Sequence, residues 1–512
     1  MNAADQILVA LSQRPDAPAQ PAEFLRWCNE VSPDDPPRIS RFLFALFRSR
    51  ADLQEAFLGI YLDPLARDAF LTWAHHFAEA ETGAPRSLIP RLPAEHVGGV
   101  YLSVARVRCV GVLGYLRAVH GLGAAARRMV ELIELAGEDI CTYTYDHTLA
   151  PRLPRWDLET RLDNSVSVSA LPDVLLSVLA PHELARVPTI LGDRAVDGAL
   201  RIALCFWETE TLPSGLAGAF SGTHEVWVTS EFTARAIREA IRGTIPVLVM
   251  PIGASLPTLS SAAVRRVNRA SWSARLASRG VIDTTTVVAQ IFDYSSGVQR
   301  KNPLGLARVW RDAFPDPDPG AQALLFKTVG SSVRLDDATW LREQVAALGR
   351  PDICFVDEAL PTDQQSALFD RIDVVVSLHR AEGYGLVLLE AMYRNIPVVA
   401  SAYSGNLAFM NDTNSWMVPC TRTILATDDG PYPAGSQWGE PDHASAVAQL
   451  SAVVRGLRHQ DSVDAQIVSQ RVVSARLAVS PLIDGSAAIP AIRQRLAALR
   501  SRPHSLTRNL PN

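Results

Sequence analysis

From residue 108 onward, short runs rich in Val, Ile and Leu alternate with stretches of helical apolar spacing, and this alternation narrows the possible folds most. A strand with one wet face alternates apolar and polar residues, whereas one covered on both faces is apolar throughout. Continuous runs separated by helices therefore point to parallel sheets sandwiched between helices. The first series is "RCVGVLGYL" (108–116), "EDICTYTY" (138–145), "PDVLLSVLA" (172–180), "RIALCFWE" (201–208), "HEVWVTS" (224–230) and "IPVLVMP" (245–251). After a mixed stretch at 254–283 a second series follows: "TTVVAQIFD" (285–293), "QALLFKTVG" (322–330), "DICFVDE" (352–358), "DVVVSLH" (373–379) and "IPVVASA" (396–402). Two successive doubly wound units imply a cleft between them, where the carboxyl ends of the strands converge.

Ahead of this pattern, "PAEFLRWCNEV", "RISRFLFALFRSRADLQEAF" and "PLARDAFLTWAHHFAEAE" carry helical spacing, broken by Pro, Asp and Gly clusters. The expected organisation is a helical accessory domain over 1–105, a Rossmann-like domain over 106–265 and a second over 266–485. A helix at 486–505 is expected to return to the first Rossmann-like domain, and the last residues, 501–512, to fray. The segment "TRTILATDDGPYPAGSQWGEPD" (421–442) reads as a loop.

A chain of 512 residues with 48% hydrophobic and 20% charged residues is long enough for two or three domains and too apolar to be disordered. Its net charge of -5 gives no basic field for nucleic acid. The cysteines (Cys28, Cys109, Cys141, Cys205, Cys354, Cys420) show no CxxC pairing and read as reduced core residues of a cytoplasmic protein. No apolar run approaches the ~20 residues of a membrane helix, and the N-terminus has none of the parts of a secretion signal. The segment 38–50 interleaves arginines with Phe42, Phe44 and Phe47, which fits a helix buried in its own domain better than one lying on the inner face of a membrane.

The chemistry concentrates in "LHRAEGYGLVLLEAM" (378–392). A strand ends in a polar loop, two glycines follow, and an amphipathic helix begins near Leu386, so Glu382 lies ahead of a helix start and Glu390 about one turn inside it. Between them Gly383, Tyr384, Gly385, Leu386 and Val387 offer backbone N–H groups that a helix leaves unpaired at its positive end. This apparatus suits a nucleoside diphosphate sugar: amides for the diphosphate, carboxylates for the hydroxyl groups of the two sugars.

The stretch 373–419 resembles the nucleotide-sugar site of retaining glycosyltransferases of the GT-B fold, family 4 in particular, whose pattern is Glu, seven residues, then Glu after the fourth strand of the C-terminal domain. Glu382 and Glu390 match that spacing. The resemblance implies that Glu390 holds the ribose, that Glu382 holds the donor sugar, and that His379 and Arg380 line the sugar pocket. It also implies that basic residues in "IFDYSSGVQRKNP" (291–303) neutralise the leaving diphosphate, which here means Arg300 and Lys301. The usual Gly-Arg pair after that strand is absent, Asp293 to Ser296 standing in its place. Two cations at the start of a helix near Pro303 would strain that helix and so hint at an anionic guest.

In "LGYLRAVHGLGAAARRM" (113–129), Gly121 and Gly123 do not fit the dinucleotide fingerprint, so a nicotinamide site is discounted; by resemblance this loop faces the diphosphate and the acceptor, with Arg117 and His120 as further candidates. In "CFWETETLPSG" (205–215), Glu208 stands where many family members have a histidine by the reacting sugar. "VDEALP" (356–361) falls where relatives pack the nucleotide base against backbone groups. No residues have metal-ligand spacing, so neither metal nor cofactor is expected.

The expected activity is retaining transfer of a hexose from a nucleoside diphosphate sugar to a glycan, lipid-linked or other hydroxyl acceptor. GDP-mannose is favoured as donor, because "SLHRAEGYGL" resembles bacterial mannosyltransferases of surface polysaccharide assembly. A GT-B epimerase, a glycan phosphorylase or a non-catalytic sugar-nucleotide-binding protein remains open at this stage.

Overall fold

The computed structural model describes residues 3–32, 38–57, 60, 64–89, 106–145, 171–191, 196, 198–459 and 461–501. The chain divides after Ala105 into two compact units. The expectations for the join at 90–105 and for the last residues, 502–512, lie outside the described part.

The first unit contains helices Ala3–Ser12, Pro21–Asn29, Arg41–Ser49, Ala51–Ala56 and Pro64–Thr82. Helix Arg41–Ser49 is capped by the Ser40 hydroxyl, which accepts from Leu43 N, and it buries Phe42, Leu43, Phe44, Leu46 and Phe47. Phe47 meets Phe70 edge-on at 5.6 Å. The aromatic residues of segment 38–50 thus form the core of their own unit.

The second unit holds two six-stranded parallel sheets. The first runs β2-β1-β3-β4-β5-β6, with β1 Arg106–Gly114, β2 Ile140–Thr144, β3 Leu171–Val178, β4 Leu200–Cys205, β5 Glu225–Val228 and β6 Val247–Val249. The second runs β12-β11-β10-β7-β8-β9, with β7 Thr286–Asp293, β8 Gln322–Val329, β9 Ile353–Asp357, β10 Val374–Ser377, β11 Val398–Ser401 and β12 Trp416–Val418. Read from its far edge, this is the 3-2-1-4-5-6 order of a dinucleotide-type fold, with its switch point between β7 and β10. Each sheet is buried on both faces, as with Val288, Phe326, Val374 and Trp310 on one side of the second sheet and Val287, Leu325, Val375 and Leu389 on the other.

Three features depart from the reading of the sequence, the first being the short sixth strand β12, Trp416–Val418, which no expected apolar run covers. The stretch 254–283 contains helix Ala262–Leu276, which packs on helix Thr362–Arg371 and joins the second half through Asn268 Nδ2–Asp370 Oδ2 at 2.7 Å and the Arg269–Asp373 pair at 2.8 Å. The segment read as a loop forms an antiparallel pair, β13 Cys420–Ile424 and β14 Gln437–Pro441.

The two halves are tied by the chain's return. Helix Val463–Ile483 packs on helices His443–Arg458 and Leu386–Tyr393; the chain then turns at Gly485 (φ 81°), and helix Ala488–Arg500 lies on helix Gly121–Leu135 of the first half. The buried Arg128 guanidinium holds the crossing, donating to Ile252 O (2.9 Å), Leu482 O (2.9 Å) and Ile483 O (2.8 Å). By length and mean hydropathy Val463–Arg500 could pass for a membrane span, against the expectation of none. The chain bends at Gly485, and Ile492, Leu496 and Leu499 lie in the first half's core, whereas Val463, Val473 and Leu477 are exposed.

Candidate functional site

The loops after β4, β5, β7, β10 and β11 meet at one point. Gly383, after β10, accepts from Ser230 Oγ (3.4 Å) after β5, and Glu208 after β4 brings Oε1 to 3.5 Å from where a Gly383 Cβ would stand. Glu382 N donates to Ser404 Oγ (2.8 Å) and Glu382 O accepts from Gly405 N (2.8 Å), both after β11. Lys301, after β7, reaches Glu382 Oε2 at 2.5 Å. These contacts make the carboxyl ends of both sheets a single cleft floor.

Helix Leu386–Tyr393 begins without a side-chain cap, because its cap residue is Gly385, which has no side chain and sits in the left-handed region at φ 98°, where a Cβ is disfavoured. Its first internal bond is Leu389 N to Gly385 O. Among the described residues the amides of Gly383, Tyr384, Gly385, Leu386 and Val387 have no acceptor. A row of unpaired N–H groups at a positive helix end attracts an anion and costs stability while it has none.

Glu382 and Glu390 flank that row. Burial would raise the Glu382 carboxyl, yet Lys301 and Arg300 (Nη1 at 3.8 Å) bring it down to about 2, so it is ionised; among the described residues its Oε1 has no hydrogen-bond donor. Burial raises the Glu390 carboxyl above its ordinary value against the pull of Arg394, whose Nε donates to Oε1 at 2.9 Å, and Oε2 is left to accept.

Arg300 is buried, with Nε on Ser296 O (2.9 Å) and Nη1 on Ala381 O (2.8 Å), and Nη2 has no acceptor among the described residues. Burial disfavours its charge, but Tyr432, Glu208, Glu382 and Asp429 around it more than offset this and hold its pKa above the usual value. The basic pair does not sit at the start of the helix at Pro303. It ends the short turn Val298–Lys301, and Asn302, left-handed at φ 54°, caps the next helix by accepting from Gly305 N. The expected strain on a helix start is therefore absent, and the case for an anionic guest passes to the unspent donors: Arg300 Nη2 and the Lys301 N–H groups beyond the one given to Glu382.

Several sequence candidates are committed elsewhere. His379 is fully buried: Nδ1 meets Ser377 Oγ (3.0 Å) and Nε2 meets Asn406 Oδ1 (3.2 Å) and Tyr403 O (3.3 Å), while burial lowers its pKa to about 4. Its neutral ring braces the loops after β10 and β11 and does not line a pocket. Arg380 turns toward the β13–β14 pair, with a two-pronged bond to Glu440, a bond to Gln299 O (2.6 Å) and its guanidinium over Trp438. In the first half, His120 caps helix Gly121–Leu135, its Nδ1 accepting from Gly123 N at 3.1 Å, so that amide is not free for a phosphate. Gly123 is glycine for packing, since a Cβ would lie 2.3 Å from Ala118 O, whereas exposed Gly121 has open space around it.

The sequence reading missed Ser230, Ser404 and Gly405, which brace the Glu382 loop, and Tyr432, whose hydroxyl donates to Glu208 Oε2 at 2.8 Å. Gly405 carried a signal, in "YSGN" directly after a buried strand; Tyr432 carried none. Among the described residues, no three His, Cys, Asp or Glu side chains converge as metal ligands would.

Residues 320–424 match the sequence model of the glycosyl transferases group 1 family. No curated protein matches the chain. The fold is similar to that of sucrose-phosphate synthase from Thermosynechococcus elongatus (TM-score 0.54, 14% identity, covering 77% of this chain and 100% of that one). It is also similar to Anabaena Alr3699/HepE in complex with UDP and glucose (TM-score 0.52, 13% identity, 77% and 100% covered). TarM of S. aureus aligns at a TM-score of 0.42 and 12% identity over 64% of this chain, which spans only 55% of TarM's length. The second unit of the chain accordingly has the GT-B fold, two Rossmann-like halves facing a cleft, and its C-terminal half carries a glycosyl transferases group 1 segment.

Proposed function

We propose that the protein is a retaining glycosyltransferase that moves a hexose from a nucleoside diphosphate sugar to a hydroxyl acceptor. The observation that carries this is the run of unpaired amides from Gly383 to Val387, flanked by two carboxylates each with one free oxygen and walled by Arg300 and Lys301. The diphosphate lies on the amides, the ribose on Glu390 Oε2 and the sugar hydroxyls on Glu382 Oε1. As the bond from the anomeric carbon to the phosphate oxygen breaks, its electron pair goes to the diphosphate, where Arg300 Nη2 and Lys301 Nζ stabilise it. The acceptor oxygen adds on the same face, and its proton passes to the departing phosphate oxygen. Glu208 faces the reacting centre and supports positive charge on the sugar ring. Basic side chains and amides supply the positive charge that a metal ion would otherwise bring to the diphosphate, so transfer needs neither metal nor cofactor.

GDP-mannose is the favoured donor on the resemblance of "SLHRAEGYGL" to bacterial mannosyltransferases. The structural neighbour from Anabaena holds UDP and glucose, which makes a uridine donor the first alternative. The acceptor is a glycan, lipid-linked or other hydroxyl met in the cytoplasm.

A thermal-shift panel of GDP, UDP, ADP and dTDP sugars tests the reading. A ligand at 100 times its Kd adds about 2.7 kcal/mol, an easily read shift. Glu390→Ala should abolish most of it, and transfer should persist in excess chelator. No shift with any member of the panel overturns the reading, and a loss of donor without acceptor that exceeds transfer favours an epimerase.

A further inference from the structure

The β13–β14 pair belongs to the second half: Gly439 N donates to Arg380 O (2.8 Å), and Glu440 takes the Arg380 guanidinium. Its tip, residues 425–436, instead reaches the first half. Leu425 and Tyr432, each 5% exposed, are members of the apolar cluster of Trp207, Leu212 and Phe220, and the Tyr432 ring meets Trp207 edge-on at 5.4 Å. The tip holds its own shape through paired bonds between Asp429 and Tyr432 (2.9 and 3.1 Å) and Leu425 N to Ser436 O (2.9 Å). At its base Arg422 pairs with Glu210 of the first half at 2.8 Å, beside Tyr403, whose hydroxyl also donates to Glu210 (2.9 Å).

What this tip delivers is a single hydroxyl. A tyrosine needed only for packing could be phenylalanine, because burying a phenol is costly unless it is hydrogen-bonded. Here the phenol is buried and spends its proton on Glu208 Oε2 (2.8 Å), while Oε1 of the same carboxylate lies against Gly383, the first residue of the amide row. A carboxylate at the end of a strand-end loop has free torsions; a donor fixed to one oxygen determines where the other points. Burial and the neighbouring Glu208 push the Tyr432 phenol well above its ordinary pKa, so it remains a donor throughout the working range.

We propose that Tyr432, carried across the cleft by the β13–β14 pair, is a positioning residue that aims the Glu208 carboxylate at the donor sugar and so sets turnover without setting nucleotide affinity. This rests on the transferase reading above. Tyr432→Phe keeps the ring and its contact with Trp207 and removes only the hydroxyl. The test is a double-mutant cycle of Tyr432→Phe with Glu208→Ala, which leaves no acceptor for the phenol, read by single-turnover transfer so that slow variants stay measurable, alongside nucleotide Kd and Tm. Tyr432→Phe alone should lower the rate about 10- to 100-fold, the effect of losing a bond to a charged group, with Kd within about twofold of wild type. In the Glu208→Ala background the same change should cost less than about twofold, since two residues acting through one contact are not additive. An unchanged rate, an equal loss in both backgrounds, or a Kd that rises as far as the rate falls overturns the assignment while leaving the transferase reading in place. A wild-type chain that binds no nucleotide sugar overturns both.

Discussion

Gly405→Ala tests whether the amide row is held in place from behind. Gly405 follows Ser404, itself at φ 76°, and a Cβ on Gly405 would lie 2.0 Å from Gly383 O, 2.4 Å from Gly383 C and 2.7 Å from Glu382 O. Real Cβ atoms essentially never approach a heavy atom closer than 3.0 Å, and all three obstacles are backbone that no rotamer change can move aside. The loops after β10 and β11 must therefore separate by about 1 Å, the scale at which active-site displacement costs on the order of 100-fold in rate. The same movement stretches Gly405 N–Glu382 O from 2.8 Å beyond hydrogen-bond range and pulls Glu382 N from Ser404 Oγ. Overpacking of this kind costs roughly 1–3 kcal/mol of stability. Urea unfolding, nucleotide titration and kcat, each measured against Gly215→Ala, where a Cβ meets nothing within 4 Å, make the comparison. The expected result is weaker nucleotide binding together with the lower kcat, because amides and Glu382 move as one. Wild-type Kd and kcat in Gly405→Ala would refute the claim that this contact positions the site.

Two further outcomes follow from charge. Lys301→Met removes the shorter of the two contacts that bring Glu382 to about 2, from an ordinary 4.5. A lowered carboxyl adds stability that is present above the unfolded pKa and lost as pH falls through the folded one, so the variant should trail wild type by about 1–3 kcal/mol in urea at pH 7, with the gap closing from about pH 4.5 toward 2. A gap independent of pH counts against the pairing. His379, lowered from 6.5 to about 4 by burial, folds neutral, so its contribution is whole above pH 6.5 and fades as pH falls through 4, amounting to about 3 kcal/mol at ~1.4 kcal/mol per unit. His379→Gln should flatten stability against pH across that window, and an unchanged slope would show that the ring is not held as described.

The fold was legible because its strands are buried on both faces, and such strands announce themselves as apolar runs: each run from "RCVGVLGYL" to "IPVVASA" contains a strand. What escaped is either too short to show that signature, as with the buried three-residue strand Trp416–Val418, or lacks it. Helix Ala262–Leu276 is rich in arginine and buries only Trp272, Ser273 and Leu276, and the strands "CTRTI" and "QWGEP" are half exposed, with no apolar side to reveal them.

The site was legible only to the level of residue types, for a physical reason. A polar residue in a strand-end loop either meets a ligand or braces a neighbouring loop, and both uses select the same residue types at the same places. His379 with Asn406, Arg380 with Glu440, and Glu208 with Tyr432 join positions 27, 60 and 224 residues apart, so no local pattern separates the two uses. The distinction lies in which donors and acceptors the protein has already satisfied. By that measure His379, Arg380 and the Gly123 amide are spent, while Glu382 Oε1, Glu390 Oε2, Arg300 Nη2 and the amides from Gly383 to Val387 are not. Free carboxylate oxygens on either side of free N–H groups suit a ligand that both donates hydroxyl protons and carries concentrated negative charge, and a sugar joined to a diphosphate does both.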